Sequence, residues 1–238
     1  MTYEPAQYWS QRLADDFSLR GTGHICYSEP YNQWLYRAKH RALWRALGHR
    51  TGPVRALDVG SGVGWVVDQL LAWGATVEGC DIADVAVDGL RSRFPGMTVY
   101  RHAVGSEPLP CPAETYDLIT MMDVAYHLTD DDQWQAAVED LARALRYGGR
   151  LVVTDRFGAT DAVPAPHVRL RAKPRWLDST AASGLRLVAI GPLFRWLSRD
   201  EQAAGFARLP DRVRGAIEYG LELTVPRPAH MRWAVFAK

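Results

Sequence analysis

The sequence predicts an α/β fold with a doubly wound sheet of seven strands, and three observations support this prediction. From residue 54 onward, short apolar runs alternate with longer stretches compatible with helices, which is typical of a parallel sheet. The first apolar run leads directly into a glycine-rich turn that is followed by a helix-compatible stretch. With 238 residues, the chain is long enough for one substantial core and short for two domains. We therefore expect a single domain.

Short apolar segments are the predicted strands, and the first five are bounded by Gly, Pro or charged residues. In chain order the strands cover Arg55–Val59, Ala75–Cys80, Thr98–Arg101, Tyr116–Met121, Arg150–Asp155, Leu185–Ile190 and Met231–Ala237. Helices are predicted at Gly64–Trp73, Val85–Phe94, Asp130–Leu145 and Pro174–Ser183. The helix at Asp130–Leu145 is the best specified, because acidic capping residues lie at its start and two glycines follow its end.

Two segments lie outside this alternation of strands and helices. Residues 1–53 are rich in tyrosine and tryptophan, and we expect two or three helices there that form a cap or lid. Residues 197–228 are flanked by prolines, and we expect an insertion before the last strand that is helical in its middle. The Rossmann-like core is then expected to comprise residues 54–196 and 229–238.

Composition and charge exclude several classes of protein. A net charge of +1 disfavours nucleic-acid binding, and no apolar run approaches the roughly 18 residues of a membrane span. The polar N-terminus is unlike a signal peptide, so we expect a cytoplasmic protein. Cys26, Cys80 and Cys111 have no CxxC spacing, so neither disulfides nor a metal site is expected. The expected partner is a small molecule, and the sequence leaves open a monomer or a homodimer.

The strongest chemical signal is the turn that connects the first predicted strand to its helix. Glycines at positions 60, 62 and 64 allow a ligand to approach the backbone closely, where a Cβ atom would collide. Asp81 ends the next strand, and a carboxylate there can accept hydrogen bonds from a ribose diol. An NAD fingerprint would need glycine or alanine at Trp65 or Val67, so that cofactor does not fit. A tight turn without a ligand is the alternative.

These motifs resemble those of the class I S-adenosylmethionine-dependent methyltransferases. The segment Leu57–Gly64 is similar to the first motif of that family, and Asp81 resembles its ribose-binding carboxylate. The segment Tyr116–Leu128 is similar to the fourth-strand motif, and Leu145–Val153 resembles the turn into the fifth strand. The resemblance covers about residues 54–156 and implies the fold and the cofactor S-adenosylmethionine, but not the acceptor.

The resemblance also implies which residues contact this cofactor. The methionine and ribose side is expected to contact Asp58, Gly60, Ser61, Gly62 and Gly64. Asp81 is expected to bind the ribose hydroxyls, Ile82 to flank adenine, and Met121 to border the amino-acid end. Many relatives carry an acidic residue after the third strand, which meets the adenine amino group and which this chain lacks. We therefore expect the backbone of Ala103 or Val104 to contact adenine.

His127 and Asp123 follow the fourth strand, close to where relatives present the acceptor. A neutral imidazole can take a proton from a hydroxyl or ammonium nucleophile, so His127 is the candidate general base. Local packing of His127 between Tyr126 and Leu128 is the alternative. Asp123 is expected to orient His127 or the cofactor amine, unless it only caps a short turn.

Candidate residues for acceptor binding come from two further segments. In the first, His167, Arg169 and Arg171 alternate with apolar residues and would form either an anion clamp or a solvated basic loop. In the second, residues 1–53, aromatic side chains are expected to wall the acceptor pocket or to pack as ordinary core. The candidates in that segment are Tyr8, Trp9, Tyr31 and Trp34, with Arg12 and His24 as polar residues. Similar stretches occur in a poorly characterised bacterial branch of the family.

The sequence therefore predicts a methyltransferase that acts on a small acceptor, which is anionic if the clamp forms. An O-methyltransferase of bacterial specialised metabolism, such as antibiotic biosynthesis, is the first hypothesis. The alternatives are an N-methyltransferase of an amino sugar or amino acid, and a protein that binds the cofactor without catalysis.

Overall fold

The computed structural model describes residues 3–49, 52–199 and 209–238. Within these ranges the strands are β1 (Arg55–Val59), β2 (Thr76–Asp81), β3 (Val99–Arg101), β4 (Tyr116–Met121), β5 (Leu145–Asp155), β6 (Ala162–Ala165), β7 (Val168–Leu170), β8 (Arg186–Phe194) and β9 (Met231–Ala237). The α-helices there are α1 (Pro5–Asp15), α2 (Leu19–Thr22), α3 (Glu29–Leu47), α4 (Trp65–Ala72), α5 (Asp84–Arg93), α6 (Asp131–Ala144), α7 (Lys173–Ala182) and α8 (Asp211–Thr224). A short 3₁₀ turn, Ala125–His127, follows β4.

The central sheet has seven strands in the order β3-β2-β1-β4-β5-β9-β8, which confirms the predicted fold class. Strands β1 to β5 are parallel to one another, and β9 runs antiparallel between β5 and β8. The strand order reverses between β1 and β4. In open α/β sheets, a ligand crevice lies at such a reversal, outside the carboxyl ends of the strands.

Helices cover both faces of the sheet and bury their apolar sides against it. On one face Leu43 of α3, Val67 of α4 and Leu90 of α5 lie in a continuous buried cluster. On the other face α6 and α7 contribute Trp134 and Trp176, whose rings meet edge to face with centroids 4.9 Å apart. The apolar spacing in the sequence of α6 therefore corresponds to a buried stripe.

Two strands are longer than the sequence predicts. β5 begins at Leu145, which pairs with Tyr116 before a register irregularity, and the prediction began at Arg150. β8 continues past Ile190 to Phe194, because Phe194 pairs with the first residue of β9. In both strands, pairing with a neighbour extends the backbone beyond the apolar run.

The insertion before β9 packs on the N-terminal helices. The part of it that follows residue 208 forms α8, and residues 200–208 lie outside the described ranges. The backbone N–H of Ser28 donates to Asp211 Oδ2 over 2.9 Å, and the indole N–H of Trp34 donates to the carbonyl of Arg212 over 3.2 Å. The Tyr31 hydroxyl donates to Glu218 of α8. No helix in the described ranges is long and apolar enough to cross a membrane.

Candidate active site

A deep cleft opens at the carboxyl ends of β1, β2 and β4, at the reversal of strand order. It holds about 1020 Å³ of space that no protein atom fills, counting the part open to solvent. The turn after β1 forms its floor, and residues of α1, α2 and α3 form the opposite wall. The cleft therefore lies between the sheet and the N-terminal helices, where the sequence predicts the cofactor.

The glycine turn lies directly beneath the N-terminal helices. Gly60 and Gly62 have positive φ angles of 72° and 51°, which glycine adopts without strain. A Cβ atom on Gly62 would lie 2.6 Å from the Thr22 side chain, and one on Gly60 would lie 2.3 Å from the Val124 side chain. The Ser61 hydroxyl donates to the Asp58 carbonyl over 2.9 Å and closes the turn. Glycine is thus required by the backbone conformation and by close packing.

Asp81 presents its carboxylate at the cleft from the end of β2. Its Oδ2 accepts the backbone N–H of Gly62 over 2.8 Å, and its Oδ1 accepts that of Ala83 over 2.9 Å. Burial raises the pKa of Asp81, and these N–H groups act in the opposite direction. Each carboxylate oxygen can accept a second hydrogen bond, so the group can also bind a pair of ligand hydroxyls.

His127 lies in the wall of the cleft with its tautomer defined by its neighbours. Its Nδ1 is 2.8 Å from the carbonyl oxygen of His167, so Nδ1 carries the proton and Nε2 carries a lone pair. The Trp9 ring meets the imidazole edge to face at 4.9 Å, and the His167 ring lies nearly parallel to it at 5.8 Å. Burial lowers the pKa of His127 to about 4, so the ring is neutral at physiological pH.

Asp123 is held at the end of β4 by several partners. Its Oδ2 lies 2.6 Å from Lys39 Nζ, and its Oδ1 accepts the Thr154 hydroxyl over 2.9 Å. Its backbone has a positive φ of 60°, and its N–H donates to the same hydroxyl over 2.7 Å. Burial tends to raise the pKa of Asp123, but the Lys39 charge outweighs it and holds the pKa below its usual range. The carboxylate is therefore anionic and bonded to these groups instead of orienting His127.

Most residues predicted to contact the cofactor line the cleft. They are Gly60, Ser61, Gly62, Asp81, Ile82 and Val104. Four others lie behind this surface. Asp58 is buried beneath the turn, where its Oδ1 accepts the Thr120 hydroxyl over 2.7 Å, and Gly64 is the N-cap of α4 against Phe94. The backbone N–H of Ala103 faces Glu107.

Met121 requires a correction. Strand alternation turns its side chain into the core cluster on the α6 side of the sheet, where it is fully buried. Met122, which follows it, lines the cleft instead. The residue that borders the amino-acid end of the cofactor was therefore predicted one position too early in the sequence.

Among the predicted acceptor residues of the N-terminal segment, Trp9 lines the cleft. Tyr8 stacks on the His167 ring at 5.2 Å, behind His127. Arg12 donates to the carbonyls of Gly21 and Gly23, at 2.6 Å each, and so holds the turn after α2. The ring stacking of Tyr8 on His167 and the hydrogen bonds of Arg12 place these residues behind the cleft wall, where they support it.

Three further predictions for this segment are corrected by packing. Tyr31 is fully buried between α3 and α8, and the Trp34 ring packs at 5.3 Å from Tyr219 of α8. The His24 ring lies beside the Tyr27 ring, with centroids 4.5 Å apart, and the backbone N–H of His24 donates to Asn32 Oδ1 over 2.8 Å. For Tyr31 and Trp34 the core-packing alternative applies, because α8 covers this face of α3. His24 packs within the N-terminal segment instead of lining the cleft.

The anion clamp predicted at Arg169 and Arg171 does not form in the structure. The Arg171 side chain is 0% exposed, and its guanidinium donates to the carbonyls of Ala125 and Leu128 and pairs with Asp131 at 3.1 Å. Arg169 pairs with the same carboxylate at 2.6 Å. The backbone is extended there, since β7 spans Val168–Leu170, but both cations bind protein groups beside α6.

The sequence did not single out several cleft residues, of which Lys39 is the most notable. The other important ones are Tyr3, Thr22, Tyr36, His102 and Met122. Tyr36 and Lys39 are three residues apart on α3 and share a face with Leu35 and Ala42, which are buried. A lysine within an apolar helical stripe was the available signal.

Comparison with known proteins agrees with this geometry. Residues 56–149 match a family described as a methyltransferase domain. A probable S-adenosylmethionine-dependent methyltransferase of Mycolicibacterium smegmatis is 31% identical over 123 residues, which are 52% of this chain and 45% of that protein. A ubiquinone biosynthesis O-methyltransferase of Agrobacterium fabrum is 32% identical over 173 residues, which are 71% of this chain and 60% of that protein. The matches thus span about half of each relative's length.

A solved structure shows the same fold over nearly the whole chain. The N-methyltransferase NodS of Bradyrhizobium japonicum, in complex with S-adenosyl-L-homocysteine, has a TM-score of 0.63 at 17% identity. The superposition covers 98% of this chain and 97% of that one. A doubly wound sheet with a glycine turn and an acidic residue at the end of β2 defines a nucleotide-type ligand site. Together, the family match over residues 56–149 and these relatives support assignment to the class I S-adenosylmethionine-dependent methyltransferases.

The cleft fits the cofactor of that family. The backbone of the glycine turn lines the cleft, and Asp81 offers acceptor oxygens for a ribose diol. Ile82 and Val104 supply apolar surface beside it for a purine ring. A charged pair, Lys39 and Asp123, lines the same cleft.

Proposed function

We propose that this protein transfers a methyl group from S-adenosylmethionine to the hydroxyl oxygen of a small, uncharged acceptor. The observation that carries the proposal is the orientation of His127 in the cleft wall. Because Nδ1 donates to the His167 carbonyl, the lone pair of Nε2 is available to accept a proton, and His127 lines the cleft. A neutral imidazole there suits general-base catalysis.

The proposed reaction assigns separate roles to the cofactor and the chain. When bound, S-adenosylmethionine supplies the methyl group from its sulfonium and leaves as S-adenosylhomocysteine. The residues of this chain position the acceptor hydroxyl, and His127 Nε2 takes its proton as the new oxygen–carbon bond forms. Alignment of two bound reactants can by itself lower the barrier by several kcal/mol, roughly 7 in well-oriented cases.

The charges around the cleft support an uncharged acceptor. Lys39 is neutralised by Asp123, and the guanidinium groups of Arg12, Arg169 and Arg171 are bonded to protein carbonyls or to Asp131. An anionic acceptor would lose its hydration without gaining a free counter-charge. The aromatic rings of the cleft wall offer apolar contact instead. We therefore no longer favour the anionic acceptor.

Methylation of nitrogen is the second candidate, because the solved relative NodS is an N-methyltransferase. An amine acceptor is an ammonium ion at neutral pH and would need a carboxylate nearby. Asp123 lines the cleft, but Lys39 cancels its charge, so the pair offers no net negative charge to a cationic acceptor. This net neutrality favours a hydroxyl. An origin of the acceptor in bacterial specialised metabolism rests on the sequence resemblance alone.

The choice of acceptor is tested with matched probes. We expect transfer to catechol with a kcat/KM at least about tenfold above that for 3,4-dihydroxybenzoate, which adds a buried negative charge without a partner. Glucosamine tests the amine alternative, and mass spectrometry identifies the methylated atom. Preference for the carboxylate would contradict the uncharged acceptor, and methylation of glucosamine alone would favour the N-methyltransferase.

The cofactor site is tested by binding. Replacing Asp81 with alanine should weaken S-adenosylhomocysteine binding by about 1–3 kcal/mol, because two ribose hydroxyls lose their acceptor. Calorimetry measures the change, and the circular dichroism spectrum serves as the control for folding. Equal affinity of the folded variant and the parent would contradict this role of Asp81, and preferential binding of NAD by the parent would contradict the cofactor.

A further inference from the structure

Lys39 and Asp123 form an ion pair in the wall of the cleft, where α3 meets the end of β4. Their charged atoms are 2.6 Å apart, and the two side chains are only 7% and 18% exposed. Taking two charges out of water costs free energy, and apolar residues in place of such a pair are often as stable or more stable. Packing alone therefore gives no reason for charged residues at this position, whereas a charged ligand does.

Each partner is held in place and retains hydrogen-bonding capacity. The Lys39 ammonium also hydrogen-bonds Tyr36, whose ring centre lies 4.1 Å away, and Asp123 accepts hydrogen bonds from the Thr154 hydroxyl and from Tyr126. A lysine ammonium has three N–H donors, and a carboxylate has about four acceptor sites. Since both residues line the cleft beside Gly60, one positive and one negative group face the same ligand space.

We propose that Lys39 and Asp123 together recognise the zwitterionic amino-acid end of the cofactor, Lys39 binding its carboxylate and Asp123 its ammonium. The inference rests on the proposed function, because it requires that the cleft binds S-adenosylmethionine. A cation and an anion side by side complement a group that carries both charges on one carbon. Because Lys39 belongs to α3, the same contact fixes the N-terminal helices against the bound ligand.

The experiment compares three ligands that differ only at this end. They are S-adenosylhomocysteine, its analogue without the carboxylate, and its analogue without the amino group. We expect the parent to prefer S-adenosylhomocysteine over each analogue by about 10- to 100-fold, as measured by calorimetry. In Lys39→Met the preference over the carboxylate-free analogue should fall below about threefold, and the other preference should persist. In Asp123→Asn the preference over the analogue without the amino group should fall below about threefold, and the preference over the carboxylate-free analogue should persist.

Two controls separate recognition from stability. Arg214→Met removes a comparable ion pair, with Glu218, that lies outside the cleft lining, and it should retain both preferences. The double variant Lys39→Met/Asp123→Asn leaves no unpaired charge and should lose both preferences, so the test remains available if a single variant does not fold. Because each preference is a ratio within one variant, a general loss of affinity cancels.

The outcomes distinguish this inference from the proposed function on which it rests. Preferences that are unchanged in Lys39→Met, Asp123→Asn and the double variant would overturn the recognition of the zwitterion and leave cofactor binding intact. A parent that does not bind S-adenosylhomocysteine at all would overturn the proposed function and this inference together.

Discussion

Replacing His127 with alanine is expected to lower kcat about 10²-fold, because the acceptor hydroxyl then loses the group that takes its proton. General bases contribute about 10²–10⁴-fold, and a base is most effective when its pKa lies near the working pH. Burial lowers the pKa of His127 to about 4, so we expect the lower end of that range. Turnover with catechol, measured as S-adenosylhomocysteine formed, checks the effect.

Two controls accompany the His127 variant. Its affinity for S-adenosylhomocysteine should stay within about threefold of the parent, because the imidazole acts in proton transfer and not in ribose binding. The base must be neutral, so parent kcat should be level from neutral pH down to about pH 5 and fall as His127 becomes protonated near pH 4. A variant with nearly normal turnover would leave His127 with a purely structural role.

Replacing Arg171 with methionine should lower the free energy of unfolding by roughly 3–5 kcal/mol, the largest effect on stability that we expect. The guanidinium bonds the carbonyls of Ala125 and Leu128 and pairs with Asp131, while it lies 4.5 Å from the Trp134 ring. Methionine retains most of the packing on the ring but satisfies none of the buried carbonyls. Denaturation in urea measures the difference.

Arg169→Met is the matched control for Arg171. Its side chain is 31% exposed and pairs with Asp131, which keeps its other partners, so the loss should be below about 1 kcal/mol. If Arg171→Met unfolds at the same urea concentration as the parent, the arginine does not hold the segment that follows β4. A selective rise in KM for anionic acceptors in a stable Arg171 variant would restore the anion clamp.

The predictable parts of the molecule are those that the local sequence specifies. β1, its glycine turn and Asp81 were predicted because an apolar strand, three alternating glycines and the end of the next strand all occur within a short stretch. The same reason explains α6, whose N-cap Asp130 accepts the N–H of Gln133 as its capping sequence suggests. Each of these signals needs no knowledge of distant partners.

The remaining parts depend on contacts between residues far apart in the sequence. The apolar helical stripe marks Lys39 as unusual, but its ion-pair partner is known only once Asp123 is placed beside it. Arg171 reads equally well as a solvated cation, a ligand for an anion or a core residue, and only the carbonyls after β4 decide between them. Tyr31 could be assigned to the core only once α8 was known to lie on α3. Spacing patterns contain none of this information.

The position of β9 has a consequence for how the chain folds. It follows all the other described strands in sequence, yet it lies between β5 and β8 and is the strand through which β8 joins the sheet. Until β9 arrives, one edge of β5 exposes unpaired backbone groups, and β8 has no partner in the sheet. Pairing of β9 with β5 closes a long loop, which is slow. Until it is complete, unpaired strand edges that can pair with other chains stay exposed. Assembly of β9 is therefore the step at which aggregation competes most directly with folding.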